Sequence, residues 1–386
     1  MKVLYHHRTL AKDGMDVHIQ EMVAALRRRG HQVLVVGPGS HGRTGDIERT
    51  SRGARRILPA AVAELAELTY NALAFRRLQT AYSSFQPDIL YERYNLYLLA
   101  GLWLSRARDL PMLLELNAPL AHERSKHADL TWRRLAHRLE AKVWGAANAV
   151  LPVSHALADF VHGAGVAENR IHVIPNGVDP SRFSPEIDGG EIRRQLGLAD
   201  RVVLGFTGFV RPWHGLDRII DVMAQCGAAH NLHLLIVGDG PARSDLERKA
   251  HQLGVLGCVQ FIGPIPRNDI PRYVAAFDIA LQPSAVPYAS PLKLVEYMAM
   301  GKAIIAPDQP NIRELIDHSL TGLLVGGGGT AELTNAILSL AKNAKLRENL
   351  GRRALHEVRK RGLTWEANAE RVEALADRLI RSPAGT

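Results

Sequence analysis

The stretch "KVLYHHRTLAKDGMDVHIQEMVAALRRRGHQVLVV", residues 2–36, places a strand, a glycine loop, a helix and a second strand in succession. Its two ends are short apolar runs typical of buried strands, and its middle has helical spacing that stops at Gly30. Strands joined by a helical crossover run parallel, because a tight turn connects only antiparallel neighbours. The stretch therefore predicts a βαβ unit and an α/β domain with a parallel sheet.

The alternation of strands and helices continues along the chain and then starts again. Strands are predicted in "PDILYERY", "PMLLELNAPL" and "AVLPVS", with helices over 96–106 and 130–146. Pro, Asn and Gly cluster over residues 171–185, and a second series runs from "RVVLGFTGF" to "TGLLV". We expect two doubly wound parallel sheets facing each other, in domains 1–180 and 181–363. The final helix, 364–386, has no following strand and is expected to pack on either domain, completing the first if it packs there.

Composition narrows the class of protein. The 386 residues exceed what a single core normally holds, and they include no run of about 18 apolar residues, so we expect no membrane span. Two cysteines, Cys226 and Cys258, make no disulfide framework, and no Cys/His cluster has zinc-ligand spacing. The first apolar run is too short for a signal peptide, which leads us to expect a cytoplasmic protein.

Positive charge is concentrated in the first part of the chain. Residues 1–150 hold 22 Lys and Arg against 14 Asp and Glu, whereas residues 151–386 hold 26 against 25. Such asymmetry indicates an anionic partner, or else a solvated basic face. Within residues 52–82, arginines flank a helical pattern, which predicts either contact with an anionic membrane or a helix packed on the sheet. The apolar positions of this pattern are Leu58, Val62, Leu65, Leu68, Ala72 and Phe75.

Ligands of an open parallel sheet bind at the carboxyl ends of its strands, so the loops after strands are the first place to look for a site. Gly14 precedes a helix after the first strand and predicts an anion site or a plain turn. Gly208 and Arg211 follow the first strand of the second series, in "TGFVRPWHG". Arg211 is predicted either to pair with a phosphate or to lie over Trp213.

The stretch "SPLKLVEYMAMG" predicts a helix with an unusual first turn. Ser290 is expected to cap it, followed by Pro291 at the first position, and Leu292, Val295 and Ala299 have core spacing. Lys293 lies where the positive end of the helix disfavours a cation, which indicates an anion such as a diphosphate nearby. The Glu296 carboxylate, one turn on, suits the two hydroxyl groups of a ribose.

With these residues the chain resembles the retaining glycosyltransferases of family 4, which have the two-domain GT-B architecture. The first loop and helix, "VIPNGVDPSRFSP", "LLIVGDGP" and "EYMAMGKAIIAPD" are similar to the family's motifs in order. The loop "PWHG" together with "SPLKLVEYMA" looks like a subgroup pattern. The resemblance implies transfer of a sugar from a nucleotide diphosphate, UDP- or GDP-linked, with retained configuration and without a metal or other cofactor.

The resemblance also implies roles for individual residues. Glu296 matches the second glutamate of the family's E-x7-E motif, and Arg211 falls near its phosphate-clamping arginine. The expected donor-binding residues are Gly14, Gly208, His214, Gly263, Ile265, Tyr288, Ala289, Ser290, Pro291, Leu292 and Glu296. The expected catalytic residues are Arg211 and Lys293, and the expected acceptor-side residues are Arg93, Asn117 and Glu123.

Three positions depart from the family pattern. Tyr288 stands where the first glutamate of the motif is usual, His214 stands where a clamp lysine precedes glycine, and Asn117 stands where many relatives have histidine. Lys293 is a candidate to replace the missing cation. These departures leave the identity of the donor sugar open.

We expect front-face displacement in which Arg211, Lys293 and the helix N-terminus stabilise the leaving diphosphate. A covalent nucleophile would have to be Glu115 or Glu123. The acceptor is expected to be a glycan, a lipid-linked molecule or a small molecule. The alternatives are a GT-B epimerase or phosphorylase and a non-catalytic sugar-nucleotide-binding protein. Nucleic acid is not expected as a partner, because no recognition motif for it is present.

Overall fold

The structure is a computed structural model that describes residues 1–9, 14–38, 59–126, 130–327 and 329–381. It divides into two compact units, of which the first consists of Met1–Pro175 and Trp365–Thr386 and the second of Asn176–Thr364. The chain thus passes from the first unit to the second within the segment 171–185, which the sequence singles out by its turn residues.

The first unit contains a five-stranded parallel sheet in the order β2-β1-β3-β4-β5. Its described strands are β1 (Lys2–His6), β2 (Gln32–Val36), β3 (Ile89–Arg93), β4 (Met112–Leu116) and β5 (Ala149–Pro152). The helices between and after them are α1 (Gly14–Arg28), α2 (Ala60–Phe85), α3 (Ala100–Arg108), α4 (Leu120–Lys126), α5 (Arg133–Ala146) and α6 (His155–Gly163). Strands β3, β4 and β5 are buried along their whole length, as expected for a sheet covered by helices on both faces.

The second unit contains a six-stranded parallel sheet in the order β11-β10-β9-β6-β7-β8. Its strands are β6 (Val202–Thr207), β7 (Leu232–Val237), β8 (Val259–Gly263), β9 (Ile279–Leu281), β10 (Ala303–Pro307) and β11 (Leu323–Val325). Its helices are α7 (Gly190–Gln195), α8 (Leu216–Val222), α9 (Arg243–Gln252), α10 (Ile270–Ala275), α11 (Leu292–Ala299), α12 (Pro310–Arg313), α13 (Thr330–Lys342) and α14 (Ala344–Arg361). The predicted fold class, two doubly wound parallel-sheet domains, is confirmed.

The last helix, α15 (Trp365–Arg381), belongs to the first unit, where it packs along α1. The ring of His18 on α1 meets Trp365 edge-on at 4.9 Å between ring centroids. Arg29 donates to Glu373 at 2.6 Å at the rim of this contact. Asn368 donates to the Pro175 carbonyl oxygen at 2.6 Å, so the helix also holds the point where the chain leaves the unit.

Helix α2 packs with a different face from the one that the sequence predicts. Val62 and Leu65, assigned to the apolar packing face, are 47% and 53% exposed, and Leu58 lies outside the described residues. The buried face instead carries the polar residues Glu64 and Asn71. Both have partners: Glu64 accepts from the Tyr97 hydroxyl and the Thr131 amide, and Asn71 accepts from the Leu99 amide at the start of α3.

These polar contacts fix the orientation of α2 together with the packing of Ala63, Ala74, Leu78 and Ala81, because leaving a buried polar group without a partner costs about 1–3 kcal/mol. We call the opposite side of the helix the outer face of α2, and it includes Val62, Leu65, Leu73, Arg76, Thr80 and Ser83. The two predicted alternatives were contact with an anionic membrane and packing on the sheet. The helix does pack against the rest of the first unit, but this packing leaves large apolar side chains exposed to solvent. In the described residues, no helix is long and apolar enough to span a bilayer.

Candidate functional site

The loop after β6 is built around close backbone contacts that only glycine permits. Gly208 has a φ of +120°, and a Cβ atom there would lie 3.3 Å from the Nζ and Cε atoms of Lys293. Its amide donates to the Val237 carbonyl oxygen at 2.9 Å, and the Val210 amide donates to the Asp239 carbonyl oxygen at the same distance. The loops after β6 and β7 are thus fastened together, with Lys293 against the first of them.

Lys293 lies in the first turn of α11 and points at the end of β6. Its Nζ atom is 3.8 Å from the centroid of the buried Phe206 ring. Burial lowers the pKa of Lys293 to about 7, and the nearby Glu296 carboxylate only partly opposes this shift. An ammonium group so placed gains from a bound anion, which would raise its pKa again.

His214 and Arg211 complete a basic group with Lys293. Burial, together with the positive charges of Lys293 and Arg211, lowers the pKa of His214 to about 3, so the ring is neutral near pH 7. Its Nδ1 accepts from the Arg211 amide at 3.2 Å, which leaves the proton on Nε2. The neutral histidine is therefore a hydrogen-bond donor where the family pattern has a lysine.

The guanidinium of Arg211 stacks between two aromatic side chains. Its central carbon lies 4.6 Å from the Phe209 ring and 4.9 Å from the Trp213 ring. The packing of Arg211 over Trp213, one of the two predicted alternatives, is therefore present. The stack holds the planar guanidinium beside His214 and Lys293 and is compatible with bidentate pairing to a phosphate.

The start of α11 differs from the prediction. The helix begins at Leu292 with Pro291 as its N-cap, and Ser290 does not cap it. The Ser290 hydroxyl instead accepts from the Asn176 amide at 3.1 Å, while the Asn176 side chain donates to the Ser290 carbonyl oxygen. Leu292 is half-buried and lies outside the core, whereas Val295 and Ala299 are core residues as predicted.

The loop before α11 is held by a second asparagine. The buried Asn311 side chain donates to the carbonyl oxygens of Ala289 at 2.7 Å and Val286 at 3.1 Å. Tyr288, within this loop, is buried with 6% of its surface exposed. Residues 286–290 therefore have a defined backbone conformation between the end of β9 and the first turn of α11.

Glu296 is buried and pairs with Arg267, a residue that was not predicted from the sequence. Its Oε1 accepts from Arg267 Nη2, and the Arg267 guanidinium lies 4.9 Å from the Phe183 ring. Arg267 follows β8 in "PIPRND". Its position in a loop directly after a strand could have identified it from the sequence as a candidate site residue. Gly263, at the end of β8, has a φ of +88°, and Ile265 packs against the core.

In the first unit, the buried Glu115 carboxylate contacts two of the three residues predicted for the acceptor side. Arg93, which is predicted to line the acceptor groove, is only 4% exposed and pairs with Glu115. Asn117 is half-buried and donates to Glu115 Oε1 at 2.6 Å. Gly14 begins α1, and Glu123 lies half-buried in the first turn of α4.

Glu115 itself is surrounded by donors. Besides Arg93 and Asn117, it accepts from the Tyr91 hydroxyl at 2.9 Å, and His18 Nε2 lies 2.8 Å from its second oxygen. Burial alone would raise the pKa of this carboxyl, but His18 and Arg93 outweigh it and hold the pKa well below its usual range. Glu115 is therefore a charged anchor at the carboxyl ends of the strands, which argues against its predicted alternative role as a nucleophile.

A second buried pair lies beside this anchor. His6 at the end of β1 contacts the Glu92 carboxylate at the end of β3, and the close approach is possible because Gly101 has no side chain there. Burial, His6 and Arg93 lower the pKa of the neighbouring His7 to about 4. His6, His7 and His18 were not predicted from the sequence, although His6 and His7 directly end a predicted strand.

Two family models match successive parts of the chain. The model described as Glycosyltransferase Family 4 matches residues 12–182, and the model described as Glycosyl transferases group 1 matches residues 188–357. The D-inositol 3-phosphate glycosyltransferase of Actinosynnema mirum is 28% identical over 381 residues, covering 92% of this chain and 90% of the relative. The GDP-mannose-dependent alpha-mannosyltransferase of Mycobacterium tuberculosis is 26% identical over 327 residues, covering 82% and 81%.

Solved structures agree with this assignment at the level of the fold. The crystal structure of Anabaena Alr3699/HepE in complex with UDP has a TM-score of 0.76 at 21% identity, covering 98% of this chain and 100% of that chain. Sucrose-phosphate synthase from Thermosynechococcus elongatus has a TM-score of 0.79 at 18% identity, covering 99% of both chains. The fold is GT-B, and both parts of the chain match glycosyltransferase family models.

Proposed function

We propose that this protein is a retaining, metal-independent hexosyltransferase that uses a nucleotide-diphosphate sugar and acts by front-face displacement. The observation that carries the proposal is the basic group of Arg211, His214 and Lys293 around Gly208 at the carboxyl end of β6. The loop "PWHG" and the helix "SPLKLVEYMA", which supply these side chains, define the subgroup that we assign to the chain.

The basic group suits a diphosphate in both charge and hydrogen bonding. Arg211 offers a planar fork, neutral His214 offers its Nε2 proton, and Lys293 regains full charge when an anion binds. Gly208, which has no side chain, leaves room for the Lys293 ammonium group beside the loop. Negative charge develops on the diphosphate as the glycosidic bond to it breaks, so these groups stabilise the transition state more than the bound donor.

Glu296 is proposed to accept hydrogen bonds from the two hydroxyl groups of the donor ribose. Arg267 holds one of its oxygens in place, which supports a fixed orientation of the carboxylate. Backbone groups of Gly263 and Ile265 are proposed to meet the base, and those of residues 288–292 the sugar and diphosphate. The side chain of Tyr288 is proposed to shape the sugar pocket from its buried position.

A UDP- or GDP-sugar is the proposed donor. One similar structure is described as a complex with UDP-glucose, and one relative is named as GDP-mannose-dependent. The proposed acceptor is a glycan, a lipid-linked molecule or a small molecule that binds the first unit near Asn117 and Glu123.

In the proposed reaction, the bond between the anomeric carbon and the diphosphate oxygen breaks while the acceptor oxygen bonds to the same face of that carbon. The acceptor proton passes to the departing phosphate oxygen. This route needs no protein nucleophile. It is in keeping with Glu115, whose oxygens accept hydrogen bonds from the side chains of Tyr5, Tyr91, Arg93 and Asn117.

A thermal-shift screen against UDP-, GDP-, ADP- and dTDP-sugars, with and without EDTA, tests the donor proposal, because a ligand of the folded state raises its apparent stability. NMR of the product with a simple sugar or lipid-linked acceptor then gives the anomeric configuration. We expect retention and no effect of EDTA. An isomerised nucleotide sugar with no second substrate would instead identify an epimerase, and binding without turnover a non-catalytic protein.

A further inference from the structure

The last residue of strand β6 has a sheet partner on one side only. Pairing of β6 with β9 stops at Gly205 and Ala280, whereas pairing with β7 continues to Thr207 and Val237. The next amide, that of Gly208, donates to the Val237 carbonyl oxygen on the β7 side. Because successive backbone groups of a strand alternate in direction, the Thr207 amide faces the β9 side, beyond the end of that pairing. A buried amide in this position needs an acceptor from outside the sheet.

Tyr297 of α11 is that acceptor. The Thr207 amide donates to the Tyr297 hydroxyl oxygen at 2.8 Å, and the hydroxyl oxygens of the two residues lie 3.0 Å apart, in position for a second hydrogen bond. Both residues are buried. Burial raises the pKa of Tyr297 above its ordinary value, so the hydroxyl keeps its proton. Water does not compete for this contact, and losing it would leave the Thr207 amide buried without a partner.

Lys293 lies on the same side of α11 as Tyr297. The two residues are four positions apart and are therefore neighbours on one face of the helix. Lys293 Nζ lies 3.8 Å from the Phe206 ring centroid and 3.3 Å from the point where a Cβ atom would stand on Gly208. Phe206 and Gly208 flank Thr207 in the chain. Through these two side chains, α11 thus meets three successive residues at the end of β6.

The other contacts of α11 control this separation less closely. Its apolar residues, Leu294, Val295 and Met298, belong to the core of the second unit, and hydrophobic attraction has no preferred direction. Arg267 holds Glu296 to the loop after β8 and not to β6. A hydrogen bond, in contrast, weakens steeply with distance and angle. The hydroxyl of Tyr297 therefore sets how far the first turn of α11 lies from the loop after β6.

We propose that Tyr297 is a positioning residue for Lys293: by bonding Thr207, it holds the lysine at the distance from the Gly208 loop at which the ammonium group meets a diphosphate. This role rests on the proposed function of Lys293 as part of the diphosphate site. Tyr297 itself touches no substrate. Its effect passes through Lys293, because a small displacement of a charged group at a site can cost much of its contribution.

Calorimetric titration of the full chain with UDP and GDP tests this role. For the nucleotide that wild type prefers, Lys293→Ala should weaken binding by about thirtyfold, since it removes a charged hydrogen-bond donor. Tyr297→Phe should weaken binding by about tenfold, because Lys293 is displaced without being removed. In a chain that already carries Lys293→Ala, Tyr297→Phe should change the affinity by less than about twofold, because the two residues act through one contact.

Nucleosides and conservative variants separate positioning from damage to the fold. Uridine and guanosine have no phosphate, so Tyr297→Phe should bind them as wild type does. Thr207→Ser keeps the hydroxyl group and should bind the nucleotide normally, whereas Thr207→Val should bind it about threefold more weakly. Tyr273→Phe removes a hydroxyl group from a half-buried position on α10 and is the matched control. Urea unfolding of each variant reports its stability separately.

Two kinds of result would contradict the role of Tyr297 alone. One is a Tyr297→Phe protein that binds the nucleotide as tightly as Tyr273→Phe, although Lys293→Ala weakens binding. The other is a Tyr297→Phe effect that adds fully to that of Lys293→Ala or that extends equally to the nucleosides, since either would show general structural damage. A Lys293→Ala protein with wild-type affinity, or a wild type that binds neither UDP nor GDP, would instead overturn the proposed diphosphate site and this role with it.

Discussion

The Nζ atom of Lys293 lies 3.3 Å from the point where a Cβ atom would stand on Gly208, although the two residues belong to different strand-to-helix connections. A side chain at position 208 would crowd the Lys293 ammonium group, which would have to shift by a few tenths of an ångström. With Phe206 beneath its ammonium group and His214 beside it, Lys293 is confined to the carboxyl end of β6. Substitutions at these positions should therefore disturb the arrangement of Arg211, His214 and Lys293.

Gly208→Ala should impair both stability and nucleotide binding. The left-handed φ of +120° and the contact with Lys293 should together cost about 1–3 kcal/mol of unfolding free energy. Urea unfolding and calorimetric titration with UDP and GDP measure the two effects. Gly257→Ala is the matched control, because a Cβ atom there meets nothing within 4 Å. Equal behaviour of the two variants would contradict the close-packed description of the loop.

Arg211→Ala and Lys293→Ala should each lower kcat at least about 100-fold, a loss of about 2.7 kcal/mol of transition-state stabilisation. The reason is that both remove charge from the proposed site of the leaving diphosphate. Steady-state kinetics with the preferred donor measure the loss, and Lys345→Ala, at an exposed position of α14, is the control. Wild-type turnover in both variants would show that the proposed clamp is wrong.

Nucleotide affinity should depend on pH through Lys293. Its pKa in the free protein is lowered to about 7, whereas a bound diphosphate raises it, so binding takes up a proton above pH 7. Affinity for the nucleotide should therefore fall as the pH rises from 7 towards 10. Lys293→Arg should remove this dependence, because arginine stays charged throughout. Titrations across this range with both proteins test it, and identical pH profiles would exclude Lys293 as the titrating group.

Glu296→Gln should weaken binding of ribonucleotides by about tenfold, because a neutral amide accepts hydroxyl hydrogen bonds less strongly than a carboxylate. Comparison of UDP with 2′-deoxy-UDP, or of the corresponding GDP pair, separates this effect from general damage. Wild type should prefer the ribonucleotide, and the variant should lose most of that preference. A preference that survives the substitution would place the ribose elsewhere.

Glu115→Gln should destabilise the protein by about 3–5 kcal/mol, because it leaves the buried Arg93 without its ion pair. Denaturant unfolding measures this change, and Glu123→Gln should alter stability by less than about 0.5 kcal/mol at its half-buried position. A Glu115→Gln protein of wild-type stability but without activity would favour the nucleophile that the structure argues against.

The order of strands and helices could be read from the sequence because it depends on local patterns. Short apolar runs and helical spacing predict both parallel sheets, and the order of the elements places the loops carrying Gly208, Arg211 and Lys293 at carboxyl ends of strands. The same local signals misplaced Ser290. Serine favours the N-cap position of a helix, but the Ser290 hydroxyl instead accepts a hydrogen bond from the backbone amide of Asn176, 114 residues away in the chain.

Partners far apart in the chain were decided only by the tertiary structure. Arg267 beside Glu296 and His18 beside Glu115 depend on how whole elements pack, which no local period encodes. Helix α2 is the clearest case. Its period is visible in the sequence, but the side that packs is set by the polar contacts of Glu64 and Asn71. A buried polar group needs a hydrogen-bond partner, and α2 meets this need by burying Glu64 and Asn71 among small apolar residues, which leaves Val62 and Leu65 exposed.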